Sequence, residues 1–358
     1  MKYFILCFIL FPLYLFSQED INIGSKHNLH SEVLSEERPY WVYLPPEYNN
    51  PEFGKASYPV IYLLDGDKNF YTLVGIQKTF TRGMYNNMPE CIIVGIPNTD
   101  RARDLTPSKS SLKHNGLDIF KNSGGADKFT EFMVSELKHK IDSDYRTNGY
   151  NILIGHSLGG LYAITTLLRQ TESFNAYIAL DPSLWWDNKL IYNEASSIWK
   201  SKDFKKRSLY IAMAKDEDKP DDMQEHSKTI LSFCNEILFS SSSNNLNGNW
   251  KHYPDEDHGT ILMPGMFDAL RSIFLGIELP VKDIPLNPLL INEYYDKLSL
   301  KLGHKFIPDE SLIDNLGKYA LSVKEKQNAI KIFEYNVNNY PDSKNARKSL
   351  ASAKELNK

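Results

Sequence analysis

One serine in this sequence lies in a pattern that can make its hydroxyl a nucleophile toward carbonyl carbons. Ser157 is the centre of Gly155-His-Ser-Leu-Gly159, which has the form G-x-S-x-G. The apolar residues 151–154 before it predict a strand, and residues 161–168 after it predict a helix. A strand, a tight turn and a helix form a nucleophile elbow, which exposes the serine oxygen and directs the backbone N–H of Leu158 at an oxyanion. We predict Ser157 as the nucleophile; the alternative is a glycine-rich turn without chemistry.

A serine hydroxyl needs a base to remove its proton, and histidine is the usual one. In proteins with such an elbow, an acid and then a histidine follow the serine along the chain. Three of the four later histidines lie in predicted helices or strands or near the C-terminus: His226, His252 and His304. His258 instead lies in a loop that follows a predicted strand and precedes the helix predicted over 265–274. We therefore predict His258 as the general base rather than a solvated loop histidine.

The acid that orients this histidine should follow the end of a strand. The predicted strand 208–213 is followed by three acidic residues in a row, Asp216, Glu217 and Asp218. We prefer Glu217, and Asp216 and Asp218 remain alternatives in the same loop. Asp181, which follows the preceding strand, is the main rival.

Other strand ends supply candidates for the oxyanion hole and the substrate pocket. A second oxyanion donor should come from the loop after an early strand, which selects the backbone N–H of Asp67, with Gly66 allowing close approach of the substrate. Trp185 and Trp186 could form a wall of the pocket, or begin a helix that packs on the core. Arg101 could bind a substrate carboxylate, although an arginine–aspartate pair that holds the loop is the stronger interpretation.

These residues need a scaffold that brings strand ends together. Five apolar stretches predict buried strands: 59–64, 91–96, 150–154, 176–180 and 208–213. Continuously apolar strands are typical of parallel sheets covered on both faces. Helical patterns lie between them, as in residues 127–141, whose apolar side chains share one face. The alternation predicts a doubly wound, mostly parallel α/β sheet, with residues 38–44 adding an antiparallel strand at its edge.

The two ends of the chain differ from this central region. Residues 1–17 contain Lys2, an apolar run and Ser17, which predicts a cleaved signal peptide and export to the periplasm or the medium rather than a membrane anchor. The α/β domain is then expected over 18–280 and a proline-marked linker over 281–291. Residues 292–358 read as a small all-helical, tetratricopeptide-like extension, or as a plain helical tail. It should pack on the α/β domain or on a protein partner.

Composition bears on which ligands the protein could bind and on the state of its cysteines. The formal net charge of −4 is ordinary for a globular protein and gives no indication of nucleic-acid binding. No Cys/His cluster has the spacing of a zinc site, so we predict no metal. Because a serine nucleophile with a histidine base needs no organic cofactor, we predict none. After removal of the signal, Cys91 and Cys234 remain, and we predict buried free thiols rather than a disulfide.

Four spaced motifs together resemble one known family. They are Tyr62-Leu-Leu-Asp-Gly66, Gly155-His-Ser-Leu-Gly-Gly160, Pro182-Ser-Leu-Trp-Trp186 and the pair His258-Gly259. In this order they are similar to the "Putative esterase" family of esterase D-type enzymes, feruloyl esterases, enterochelin esterases and mycolyltransferases, above all to its siderophore-esterase-like branch. The resemblance covers about residues 23–279. The loop after strand 208–213 departs from the family, because Ala214-Lys215 and three acids replace a glycine-containing turn with one acid.

The resemblance implies an α/β-hydrolase fold and hydrolysis of a small-molecule carboxylic ester through a serine acyl-enzyme. It assigns the nucleophile and the base to Ser157 and His258. Two other functions stay open at this point. One is acyl transfer at the same site, in which an alcohol replaces water. The other is a non-catalytic binding module that uses the helical extension.

Overall fold

Eight strands form one mixed sheet at the centre of the protein. The computed structural model describes residues 21–110, 118, 120–215, 221–241, 243–274 and 279–357, without the side chains of 221–224. The strand order is β1-β2-β4-β3-β5-β6-β7-β8. The strands are β1 (Ser25–Ser31), β2 (Glu36–Tyr43), β3 (Tyr58–Leu64), β4 (Ile92–Ile96), β5 (Thr147–His156), β6 (Ala176–Leu180), β7 (Ser208–Ala214) and β8 (Asn247–Tyr253).

The strands from β3 to β8 run parallel, which confirms the predicted fold class. Every residue of β3, β4, β6 and β7 is buried, as expected for strands covered on both faces. The predicted antiparallel strand is β2, but its place at the edge is wrong. β1 pairs outside it and forms that edge of the sheet. Because β1 is short, polar and mostly exposed, it carries no apolar run that would have predicted it.

Helices connect the strands and continue beyond the sheet. They are α1 (Gly66–Phe80), α2 (Arg101–Leu105), α3 (Ala126–Glu131), α4 (Lys138–Asp144), α5 (Leu158–Arg169), α6 (Trp186–Ile198), α7 (Asp221–Ser232), α8 (Leu262–Phe274), α9 (Leu290–Leu302), α10 (Glu310–Ser322), α11 (Lys326–Asn339) and α12 (Lys344–Glu355). A π-helical turn joins α3 to α4 and another follows α7. Within the described ranges, no helix is both long enough and apolar enough to cross a membrane. The predicted signal peptide lies outside those ranges.

The C-terminal helices pack on the α/β domain at the side where the parallel strands begin. Near the start of β5, the Tyr150 ring lies 5.1 Å from the ring of Phe306, centroid to centroid. In the loop before β3, the carbonyl oxygen of Glu52 accepts a hydrogen bond from Asn345 N at 2.9 Å, and the amide of Gly54 donates to the Glu310 carboxylate. The extension therefore lies away from the carboxyl ends of the strands. Cys91 and Cys234 are buried free thiols, as predicted.

Two half-buried carboxyl groups lie where α10 begins against the α/β domain. Burial raises the pKa of Asp309 to about 7. Burial and the charge of Asp309 raise the pKa of Glu90 to about 8. Both groups therefore keep their protons in the folded protein at pH values at which the unfolded chain has lost them. The free energy of unfolding should fall as the pH rises from about 4 through the raised pKa values, because folding takes up protons in this window.

We expect Asp309→Asn to raise the free energy of unfolding by about 1–3 kcal/mol at about pH 8.5 and to change it little at about pH 4.5, because the amide is neutral without a proton. Denaturant melts at the two pH values measure the effect. Asp283→Asn, at an exposed position, is the matched control and should show no such pH-dependent gain. A loss of stability at both pH values would contradict the prediction, because a neutral amide of the same size would then be less stable here than the carboxyl group in either protonation state.

Candidate active site

Ser157 lies on a sharp bend between β5 and α5. Its backbone has φ 59° and ψ −115°, a conformation that L-residues rarely adopt. The bend is held by Ser157 N, which donates to Leu180 O at 2.9 Å, and by Ser157 O, which accepts from Ser183 N at 3.1 Å. A Cβ on Gly155 would lie 2.1 Å from Gly159 O, so the first glycine of the pattern is required for the close approach of α5. The predicted elbow is therefore present, with its serine partly exposed.

His258 lies beside this bend and is oriented by an aspartate. Its Nδ1 is 2.6 Å from Asp181 Oδ2, and the side chains of the two residues are 44% and 3% exposed. His258 Nε2 has no hydrogen-bond partner among the described residues. The Ser157 hydroxyl instead contacts Ser183 Oγ at 3.2 Å. The structure thus brings the serine and the histidine to one site, while the hydrogen bond between them is not formed in this conformation.

The carboxylate that contacts His258 is that of Asp181, the rival to the preferred candidate Glu217. Asp181 follows β6 with a φ of 44°, and its Oδ1 accepts from Ala214 N, at the end of β7, at 2.9 Å. Burial alone would raise the pKa of this carboxyl, but hydrogen bonds from His226 and His258 hold it well below its usual range. The side chain is therefore an anionic acceptor. Glu217 and the alternatives Asp216 and Asp218 lie outside the described residues.

Two further histidines contribute to the site, and the sequence analysis gave neither of them a role. His156 Nε2 donates to the backbone oxygen of His258 at 2.6 Å, and the two rings lie 4.5 Å apart, centroid to centroid. Burial and the neighbouring His258 lower the pKa of His156 to about 4, so its ring is neutral at ordinary assay pH. A neutral ring that donates to this carbonyl holds the His258 loop against the elbow.

The second of these histidines, His226, projects from α7. Its Nε2 is 2.9 Å from Asp181 Oδ2, the same oxygen that His258 contacts. One nitrogen of each ring and this carboxylate oxygen lie within 4.8 Å of one another, a spacing that could also suit a metal ion. The two hydrogen bonds to Asp181 account for the arrangement. The sequence indicated that His226 lies in a helix, but it did not show which strand end this helix packs against. The contact with Asp181 could therefore not be predicted.

The predicted oxyanion donors both occupy first turns of helices. Leu158 N–H begins α5 directly after Ser157, and Asp67 N–H lies in the first turn of α1. Neither N–H has a backbone acceptor among the described residues. The end of β3 adjoins the elbow, because Asp65 Oδ2 is 3.6 Å from where a Cβ of Gly159 would lie. Gly66 has a different role from the predicted one: a Cβ there would strike the backbone of β4, so this glycine permits packing rather than substrate approach.

Arg101 pairs with a buried aspartate and with the elbow, which favours the loop-holding interpretation over substrate binding. Its Nε donates to Asp65 Oδ1 at 2.6 Å, and its Nη2 donates to the backbone oxygen of His156 at 2.9 Å. The pair thus ties the loops after β3 and β4 to the elbow. The hydrogen bonds from Arg101 also hold the pKa of the buried Asp65 below its usual value, although burial raises it. This is the loop-holding alternative that the sequence analysis favoured.

The two tryptophans after Asp181 have separate environments. Trp186 is fully buried, and its Nε1 donates to Ser108 Oγ at 3.1 Å, so it belongs to the core and cannot line a pocket. Trp185 is only partly buried and lies two residues after Ser183, whose backbone contacts Ser157. Only Trp185 therefore remains a candidate for substrate contact.

Comparisons with known proteins identify the family of this chain. The family profile described as "Putative esterase" matches residues 31–253. The ferri-bacillibactin esterase BesA of Bacillus subtilis is 26% identical over 261 residues, which make up 66% of this chain and 85% of that protein. A siderophore enterobactin esterase of Emericella nidulans is 27% identical over 257 residues, 62% of this chain and 83% of that protein.

A solved structure extends the agreement beyond the sequence profile. An IroE-like serine hydrolase from Shewanella oneidensis is 30% identical and superimposes with a TM-score of 0.77, covering 87% of this chain and 98% of its own. The chain therefore belongs to the "Putative esterase" family, in its siderophore-esterase-like branch, and is a carboxylic ester hydrolase with an α/β-hydrolase fold.

Proposed function

We propose that this esterase works through an acyl-enzyme on Ser157, with His258 as general base and Asp181 as the acid that orients it. The observation that carries the proposal is the His258–Asp181 hydrogen bond directly beside a serine on a strained bend. Because Nδ1 of His258 donates to Asp181, its Nε2 carries the lone pair that can accept the serine proton.

The first half of the reaction transfers the acyl group to the enzyme. The Ser157 hydroxyl turns from Ser183 toward His258 Nε2, which takes its proton as the oxygen attacks the ester carbonyl. The N–H groups of Leu158 and Asp67 stabilise the oxyanion. The intermediate then expels the alcohol, which leaves with the proton held by His258.

The second half releases the acid and restores the serine. His258 removes a proton from water, which attacks the acyl carbonyl of Ser157, and the same two N–H groups stabilise the second oxyanion. Collapse of this intermediate breaks the bond to Ser157 Oγ, which recovers its proton from His258. Asp181 stays anionic throughout and stabilises the imidazolium.

We propose the ester bonds of a siderophore as the substrate class. The support comes from the names of two relatives, a ferri-bacillibactin esterase and a siderophore enterobactin esterase. The match to this chain covers more than four-fifths of the length of each relative. Trp185, partly exposed after Ser183, provides an aromatic surface against which the aromatic group of a catecholate could pack.

A substrate panel tests the proposed function. We expect kcat/KM for a catecholate siderophore lactone to exceed that for p-nitrophenyl acetate by at least about 100-fold, because binding energy from the rest of the substrate is used at the reacting ester. Chromatography with mass detection follows the ring-opened and monomeric products. The panel includes a hydroxamate siderophore ester and a feruloyl sugar ester. If the feruloyl ester is cleaved rapidly while the siderophores stay intact, the proposed substrate class is wrong. If no ester in the panel is cleaved, the proposed function itself is wrong.

A further inference from the structure

A second histidine shares the carboxylate that serves the proposed base. Asp181 Oδ2 is 2.6 Å from His258 Nδ1 and 2.9 Å from His226 Nε2, while Oδ1 accepts from Ala214 N. Asp181 is 3% exposed and His226 is 12% exposed, so little water competes for these contacts. An anionic carboxylate can only accept, and therefore both ring nitrogens must donate to it.

We infer that His226 is a positioning residue, which fixes the Asp181 carboxylate for His258 and limits how strongly Asp181 attracts the His258 proton. The inference rests on the proposed function. Its first part is geometric: three donors leave the buried carboxylate a single orientation, and that orientation sets the tautomer and the ring angle of His258.

The second part is electrostatic. A carboxylate that already accepts from His226 has less negative charge to offer a developing imidazolium at His258, so Asp181 stabilises that imidazolium less than an aspartate without the His226 donor would. Loss of the His226 donor should therefore shift the acidic limb of the pH–rate profile upward, in addition to lowering the rate.

Other ionisable groups lie near Asp181 and His258 and could also influence the pH–rate profile. Among the described residues they include the following: His156, Asp65, Arg101, Lys215, Glu256, Asp257, Lys189 and Glu225. His156 lies against the His258 ring and is neutral, because burial lowers the pKa of its imidazole to about 4. Lys189 pairs with Glu225 on α7, one residue before His226. None of these groups differs between the variants proposed below.

Two substitutions separate the hydrogen bond from simple packing. Glutamine places an amide N–H where His226 has its Nε2 and never carries a charge, whereas leucine fills similar space without a donor. We expect His226→Leu to lower kcat about tenfold with KM little changed, and to move the acidic limb of kcat/KM upward by about half a pH unit. His226→Gln should keep kcat within about threefold of the unmodified enzyme, because the donor is retained.

The measurement is a pH–rate profile with a p-nitrophenyl ester, with thermal melting of each variant to confirm folding. His252→Leu, at an exposed histidine of β8, is the matched control and should leave the profile unchanged. The inference is wrong if His226→Leu keeps both the rate and the acidic limb, or if the glutamine and leucine variants lose the same activity. If His226→Leu does not fold, the glutamine variant decides: a rate reduced more than about tenfold overturns the inference. Ser157→Ala, assayed in parallel, reports separately on the proposed function: if it stays active, that function fails and the inference fails with it.

Discussion

Ser157→Ala should lower kcat/KM for ester hydrolysis by about 10⁴-fold or more, since removal of the nucleophile leaves only binding and the oxyanion donors to catalyse the reaction. A fluorophosphonate reagent should form one covalent adduct on the unmodified enzyme, and peptide mapping should place it on Ser157. The alanine variant should remain unlabelled. Its folding should be unchanged, because the bend is held by backbone hydrogen bonds of Ser157 and not by its hydroxyl.

The neighbouring serine provides the control for this experiment. Ser183 Oγ contacts Ser157 Oγ at 3.2 Å, so Ser183→Ala removes the resting partner of the nucleophile without removing the nucleophile. We expect its kcat/KM to stay within about tenfold of the unmodified enzyme. Retention of more than a tenth of the activity in Ser157→Ala, or labelling of Ser183 in its place, would mean that the elbow serine is not the nucleophile.

Asp181→Asn should lower kcat by about 10³–10⁴-fold with KM little changed, because the amide cannot stabilise the imidazolium and no longer selects the tautomer with a proton on Nδ1. Asparagine keeps the size of the side chain, and so the packing around it should persist. Steady-state kinetics with one ester, together with circular dichroism of both proteins, measure the effect.

Glu217→Gln is the informative comparison for this variant. Glu217 was the residue that the sequence favoured as the acid, whereas the structure gives the contact with His258 Nδ1 to Asp181. We expect the Glu217 variant to keep kcat within about threefold of the unmodified enzyme. The reverse result, a silent Asp181→Asn and an inactive Glu217→Gln, would return the acid to the loop after β7.

The sequence alone predicted the elbow and His258, because each is recognised from residues close to it along the chain. The elbow has its own signature, since the close approach of α5 to β5 requires glycine at Gly155. His258 could be selected because it is a loop histidine between a strand and a helix. The sequence could not identify the acid in the same manner. Asp181 follows the buried strand β6, and the three other candidates follow the buried strand β7, so their positions are equivalent in sequence. Which carboxylate reaches the ring depends on long-range packing that spacing does not encode.

The same limit explains what was missed elsewhere. The sequence analysis treated His226 as a helical residue and His156 as a variable position of the motif. In the structure His226 contacts the Asp181 carboxylate, and His156 donates to the backbone oxygen of His258. β1 lacked an apolar run and was not predicted, although it completes the sheet beside β2. The sequence favoured an arginine–aspartate pair within the loop that follows β4, whereas the partner of Arg101 is Asp65, which follows β3.

The docking of the C-terminal helices on the amino-end side of the sheet has a practical consequence for the reaction. Ser343 and Asn345, at the start of α12, contact the loop before β3, while the elbow opens at the other end of the same strands. A support, a label or a fused protein attached along α12 would leave the entrance to the serine unobstructed. We therefore expect enzyme immobilised through α12 to keep its activity on a bulky substrate.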